Sequence, residues 1–158
     1  VTASKQMPQT LEAPMHKMIF VNLPVADLAR SRTFFESMGY TFDDRFSDDN
    51  AAALVLGDNI VAMLLRRDFY QTFVPGKAVV DATSTSGVLV ALSAESRDEV
   101  DAIKAKAEAA GATIGRSEDH GFMYGCAFDD LDGHTWEVMW MDQAAAEVGP
   151  EAFADQQG

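Results

Sequence analysis

Asp129-Asp130-Leu131-Asp132-Gly133-His134-Thr135-Trp136-Glu137-Val138-Met139-Trp140-Met141 reads as a tight turn that feeds directly into a strand. Clustered aspartates and a glycine supply the turn chemistry. From Thr135 onward the side chains alternate, placing Trp136, Val138 and Trp140 on one face and Glu137 and Met139 on the other. The stretch therefore predicts a strand with two apolar faces and a single carboxylate among them.

Upstream of this strand, Ala112 to Ser117 and Phe122 to Phe128 read as two further strands. Before them, Ser96 and Glu99 make a capping box, and Val100, Ile103, Ala107 and Ala110 mark one face of a helix that Gly111 ends. Val88, Val90 and Leu92 alternate with Leu89, Ala91 and Ser93 as a strand ahead of that helix. The second half of the chain thus predicts β, α, β, β, β.

The first half has the same grammar. Ile19, Val21, Leu23 and Val25 alternate with Phe20, Asn22 and Pro24, and Asp27 offers an N-cap for a helix carrying Leu28, Phe34, Phe35 and Met38 up to Gly39. Tyr40 to Phe46, Ala51 to Leu56 and Ile60 to Leu65 follow as short strands, separated by Asp48-Asp49-Asn50 and Gly57-Asp58-Asn59. Two anchors align the halves: Met38-Gly39-Tyr40-Thr41 with Ala110-Gly111-Ala112-Thr113, and Leu56-Gly57-Asp58-Asn59 with Asp132-Gly133-His134-Thr135. Neither half has sheet enough to bury a core alone, so the two modules are expected to combine into one α+β domain. The expected organisation is a polar tail at 1–16, one domain at 17–142 with modules at about 17–66 and 86–142, an irregular connection at 67–85, and an alanine-rich, acidic tail at 143–158. That last tail reads as a short helix or a frayed end.

Composition narrows the partners. The 158 residues include 47% hydrophobic ones, which suffices for one core, and carry a formal charge of −13. Such a charge repels nucleic-acid phosphates and anionic membrane surfaces. It suits solubility, and it also favours a cationic ligand. No run approaches the roughly 18 to 20 apolar residues of a membrane span, and no basic-then-apolar leader opens the chain, so a cytoplasmic location is expected. Cys126, the one cysteine, has no internal disulfide partner and reads as a small buried thiol.

Leu23-Pro24-Val25-Ala26-Asp27-Leu28 leading to Phe34-Phe35 and Met38-Gly39-Tyr40, together with Asp130-Leu131-Asp132-Gly133-His134-Thr135-Trp136-Glu137, resembles the vicinal oxygen chelate superfamily of glyoxalases, bleomycin-resistance proteins and extradiol dioxygenases. The resemblance covers Met18 to Asp142. It implies two βαβββ modules forming a cupped mixed sheet, a ligand inside the cup, and a homodimer. In the superfamily's enzymes it also implies a divalent metal, held by His or Glu on the first strand of each module and by Glu, Gln or another donor on the last. Here those positions fall on Phe20 and Leu89, on Val61 or Met63, and on Glu137. Aliphatic and phenyl side chains offer a hard or borderline ion no lone pair, so Glu137 stands as the one donor at a family position and no cofactor is expected. Asn22, His120 and His134 are the other donors nearby, with a partner subunit as a further source.

Strand parity places Phe20, Asn22, Val61, Met63, Leu65, Leu89, Ala91, Glu137 and Met139 on the cup faces. Tyr124, in the strand after His120, is expected at the rim. Phe20, Asn22, Met63, Leu89, Tyr124 and Met139 are thus the candidate ligand-binding residues, and Glu137 the candidate catalytic one. A carboxylate there is costly to bury unless it is paired, by an Arg or Tyr for instance, or put to use as a base or as an anchor for a ligand cation. His134 either caps turn backbone or takes part in chemistry, and His16 falls in the tail. The function expected is small-molecule binding in an apolar cup without a metal. The alternatives are a metal-dependent lyase, isomerase or dioxygenase acting on a small oxygenated substrate, and a structural module whose cup is filled.

Overall fold

The computed structural model describes residues 14–158; most of the expected N-terminal tail lies outside the described residues. Strand β1 (Ile19–Val25) runs into helix α1 (Leu28–Ser37), followed by β2 (Thr41–Asp43), β3 (Ala51–Gly57) and β4 (Ile60–Arg66). Helix α2 (Arg67–Phe73) opens the connection to the second module, which comprises β5 (Leu89–Ser93), α3 (Arg97–Ala110), β6 (Thr113–Asp119), β7 (Met123–Asp129) and β8 (Thr135–Met141). Helices α4 (Gln143–Val148) and α5 (Pro150–Gln156) end the chain.

Each module forms one four-stranded mixed sheet of the same topology, β1-β4-β3-β2 and β5-β8-β7-β6. In both, the first strand lies parallel to the last and the other pairings are antiparallel. Both helices start and stop where the sequence signals them. Asp27 accepts from Arg30 N–H at 3.0 Å, and Ser96 accepts from Glu99 N–H at 3.1 Å. The Glu99 carboxylate reaches one residue further back than in a standard capping box, taking the N–H of Glu95. Gly111 closes α3 in the left-handed region, at φ 104°.

Two expectations are corrected, and for the C-terminal segment the helical alternative holds. The strand expected from Tyr40 to Phe46 stops at Asp43, because the Asp43 carboxylate accepts from Arg45 N–H and turns Asp44–Phe46 into a 3-10 turn. The connection expected to be irregular begins with α2, and the Arg67 guanidinium fastens its far end through the carbonyls of Val80 at 2.8 Å and Val79 at 3.0 Å. The C-terminal segment folds as two short helices, with the Phe153 and Phe122 rings 6.2 Å apart.

Helix α1 packs on β3 and β4, α3 on β7 and β8, and the two helices touch. One core spans both modules: Leu23, Val25, Phe34, Phe35, Leu54 and Leu64 from the first, Val100, Ala107, Phe128, Trp136 and Val138 from the second. Trp136 is its hinge-pin, 1% exposed, with its ring 5.4 Å from that of Phe35 in an edge-on arrangement. The helix-side faces of the strands are therefore buried, and the opposite faces remain for a site.

Candidate functional site

The quoted turn does more than reverse the chain. Asp130 accepts from Asp132 N–H and His134 N–H at 2.9 and 3.0 Å, and from Trp136 Nε1–H at 2.9 Å. Burial pushes the Asp130 carboxyl above the usual carboxylate range, against those hydrogen bonds and the nearby His134. Asp132 reaches into the first module, accepting from Ala26 N–H at 2.8 Å and from the Ser31 hydroxyl at 3.1 Å. His134 is buried with Nε2 2.6 Å from the carbonyl of Pro24. Of its two expected roles this geometry carries the structural one, since the ring nitrogen is engaged with backbone at the module junction.

On the solvent side of the first sheet, β1, β3 and β4 line a half-open hollow of about 880 Å³. Phe20, Val55, Val61 and Met63 give it an apolar lining, and Asn22, Asp43, Arg45, Phe46 and Asp58 also border it. Arg45 forks onto Asp43 through Nε at 3.0 Å and an Nη at 2.8 Å, holding the Asp43 carboxyl below the usual carboxylate range, and its guanidinium lies 5.6 Å from the Phe46 ring centre. Asn22 Nδ2 makes only a long, 3.5 Å contact to Phe20 O. Phe20 is 55% exposed, which is far from the burial expected of a large apolar side chain in a finished core.

The second sheet presents a different surface. Arg116, Glu118, Gly125, Ala127, Glu137 and Met139 border a crevice of about 10 Å³, which has room for no organic ligand. Glu137 is held by Arg116 at 2.5 Å, with its side chain 15% exposed, while the same guanidinium takes Glu118 with its other terminal nitrogen. His120 Nε2 lies 3.7 Å from Glu118. A Cβ on Gly125 would overlap the Met139 sulfur, so the missing side chain is what lets Met139 lie across the strand.

The candidate residues thus separate. Phe20, Asn22 and Met63 share the first hollow, Glu137 and Met139 border the second, and Leu89 lies on the edge strand β5, 52% exposed and lining neither. The single cup inferred from parity is, within one chain, two surfaces. Tyr124 leaves the set: its hydroxyl donates to Asp101 of α3 at 2.5 Å and its ring lies 4.8 Å from the Arg97 guanidinium, on the helix side. It falls opposite Trp140, and the parity that put Trp140 under the helices applies to it equally. Arg116 was missed because β6 and β7 shift register between Ile114 and Ser117, which hides the face of Arg116 from simple alternation.

A third cavity, about 410 Å³, lies at the module junction under the connection, with Val21, Pro24, Tyr70, Val80, Val88 and His134 among its walls. The hollow of the first sheet is larger and carries three of the expected ligand-binding residues.

A family model for the Glyoxalase/Bleomycin resistance protein/Dioxygenase superfamily matches residues 17–138. The chain belongs to that superfamily. Solved structures agree at the level of fold: a hypothetical protein from S. aureus is 24% identical, with 80% of this chain and 95% of that one covered and a TM-score of 0.68. A glyoxalase-related enzyme from Fulvimarina pelagi is 21% identical over 80% and 88% of the two chains, with a TM-score of 0.67. A lactoylglutathione lyase from Agrobacterium tumefaciens is 15% identical over 81% and 95%, with a TM-score of 0.61. No curated protein matches the sequence.

Strand pairing settles which residues of the superfamily member are counterparts. Phe20 pairs with Val61 and Asn22 with Met63, as Leu89 pairs with Thr135 and Ala91 with Glu137. Met63 therefore takes in the first sheet the place that Glu137 takes in the second. The donor set does not fit a divalent metal: Phe20, Leu89 and Met63 supply no oxygen or nitrogen, and Glu137 is already paired. Among the described residues no three His, Cys, Asp or Glu side chains gather in a way that holds an ion. Among them, too, no helix is long and apolar enough to cross a membrane.

Proposed function

We propose that this superfamily member binds a small organic molecule, cationic or aromatic, on the concave face of its first sheet without a catalytic metal, and that a second copy of the chain closes the site. The observation that carries the reading is the hollow of about 880 Å³, with Phe20, Val61 and Met63 in its apolar lining and Asn22, Asp43 and Asp58 at its polar border. Its volume lies in the range of small-molecule sites, which weighs against a cup filled by its own side chains. At the border Arg45 offsets Asp43, which leaves Asp58 and the charge of −13 to favour a cation over an anion. The exposed Phe20 and Leu89 give the two surfaces an apolar margin that a second copy would bury.

A metal-dependent lyase, isomerase or dioxygenase has less support, because Glu137 is its one family-position donor and is neutralised by Arg116.

The reading is tested by thermal shift against a panel of cationic and aromatic compounds. A ligand at about 100 times its Kd adds about 2.7 kcal/mol of stability. At least one compound is expected to raise Tm, and Met63→Arg, which fills the hollow with a long side chain and sets a positive charge against a cationic ligand, is expected to abolish that rise. A panel with no effect on the wild type, or a rise that persists in Met63→Arg, sinks the assignment.

A further inference from the structure

The superfamily position held by Glu137 is not vacant here; it is already supplied with a positive charge. Arg116 sits on β6 facing the same concave surface, with one terminal nitrogen on Glu137 and the other on Glu118. Two carboxylates converging on one guanidinium is the charge pattern that a divalent ion would otherwise satisfy. An arginine fork suits it, since its planar donors reach two acceptors at once and cannot be deprotonated in the usual pH range. The surroundings then close over the pair: Met139 lies across Gly125, and only about 10 Å³ of space remains beside the carboxylates.

We infer that Arg116 is the resident cation of this surface, doing for Glu137 the neutralising work that a metal ion does in the superfamily's metal enzymes. The inference rests on the metal-free reading above and supplies its cause: a divalent ion meets a carboxylate already compensated. Glu137 is consequently an acceptor locked to Arg116, and its role is to position that side chain rather than to act on a substrate. Glu118 shares the charge, and His120 stands behind Glu118 at 3.7 Å.

The test is a rescue of one cation by another. Removing Arg116 leaves Glu137, mostly buried, next to a second carboxylate with no counter-charge, so Arg116→Met is expected to lower Tm by about 2 to 4 °C or more. Millimolar Mn²⁺ is expected to restore most of that loss in Arg116→Met and to leave the wild type unmoved. The double variant Arg116→Met with Glu137→Gln, having one carboxylate fewer, is expected to be more stable than Arg116→Met alone and insensitive to Mn²⁺. If Arg116→Met folds but neither Mn²⁺ nor Glu137→Gln changes its Tm, the inference is overturned while the metal-free ligand reading stands. If the wild type itself takes up Mn²⁺ and Glu137→Gln abolishes the uptake, both fall. Circular dichroism of each variant separates a missing rescue from a failure to fold.

Discussion

Asp130 shows how one residue can be indispensable to a turn without touching the site. Its carboxylate collects two backbone N–H groups of the turn and the indole N–H of Trp136, the largest fully buried side chain of the core. Removing it orphans the Trp136 donor in a place water does not reach. Each such unsatisfied buried group costs about 1 to 3 kcal/mol. Asp130→Ala is therefore expected to lower the urea midpoint by an amount equivalent to at least one of these, and a loss under about 0.5 kcal/mol would mean that the indole finds another acceptor. The contrast with Glu137 is instructive. Both are carboxylates in the same turn and strand, yet Asp130 is bound by neutral donors inside the core while Glu137 is bound by a cation at the open face. Asp119 is a third kind, exposed, held by Arg97 and by Gly121 N–H, with its carboxyl drawn down to about 2.

At the scale of elements, the Asp130–His134 turn is the joint between modules. Asp132 caps the start of the first module's helix from outside by binding Ala26 N–H and Ser31, and His134 takes up the carbonyl of Pro24 on an edge strand. Gly133 makes this close approach possible: its φ is +84°, and a Cβ there would lie 2.7 Å from the backbone of Ala82 and Thr83 in the connection. The backbone cannot yield as a flexible side chain would. Gly133→Ala combines left-handed strain of about 1 to 3 kcal/mol with that clash, and is expected to destabilise the chain by more than about 2 kcal/mol in denaturant unfolding. It is also expected to loosen the connection, seen as faster amide exchange around Ala82. Wild-type exchange there in Gly133→Ala would show that the contact is dispensable. Gly125→Ala meets the Met139 side chain, which can move, and the Val138 carbonyl at 2.9 Å, which cannot, but it carries no left-handed strain and should be milder.

For the whole molecule, the arrangement of the sheets decides what a site can be. One chain presents a roomy apolar hollow on the first sheet and an almost filled, charged surface on the second, and the residues expected to face each other across one cup line different surfaces. Phe20 at 55% and Leu89 at 52% exposure are apolar area left uncovered on strands at the edges of their sheets. A dimer that buries these strands is expected in sedimentation or light scattering at micromolar concentration. Leu89→Asp, outside the hollow itself, is expected to shift the protein toward monomer and to weaken the ligand-induced thermal shift together with it. A monomeric wild type that still binds ligand through Met63 would place the complete site within one chain.

Local pattern was enough for the strands and helices of the two modules, though not for α2 in the connection or for the early end of β2. The alternation around Trp136, the caps at Asp27 and Ser96 and the glycines after both helices act over a few residues, and the repeated βαβββ order follows from them. The residues alone also fixed that Phe20, Leu89 and either Val61 or Met63 offer no oxygen or nitrogen to a hard or borderline divalent ion, since that depends only on which atoms a side chain has. Tertiary structure alone decided where those side chains stand. Parity says which face a residue takes within its own sheet but nothing about how two sheets sit relative to each other, so the single cup became two surfaces. The register shift in β6 turned Arg116 toward Glu137, a contact between residues far apart in the chain that no periodicity encodes. Whether Glu137 was a base, a ligand or half of an ion pair depended on that partner, because a carboxylate's chemistry is set by the charge nearest to it and not by its place in a strand.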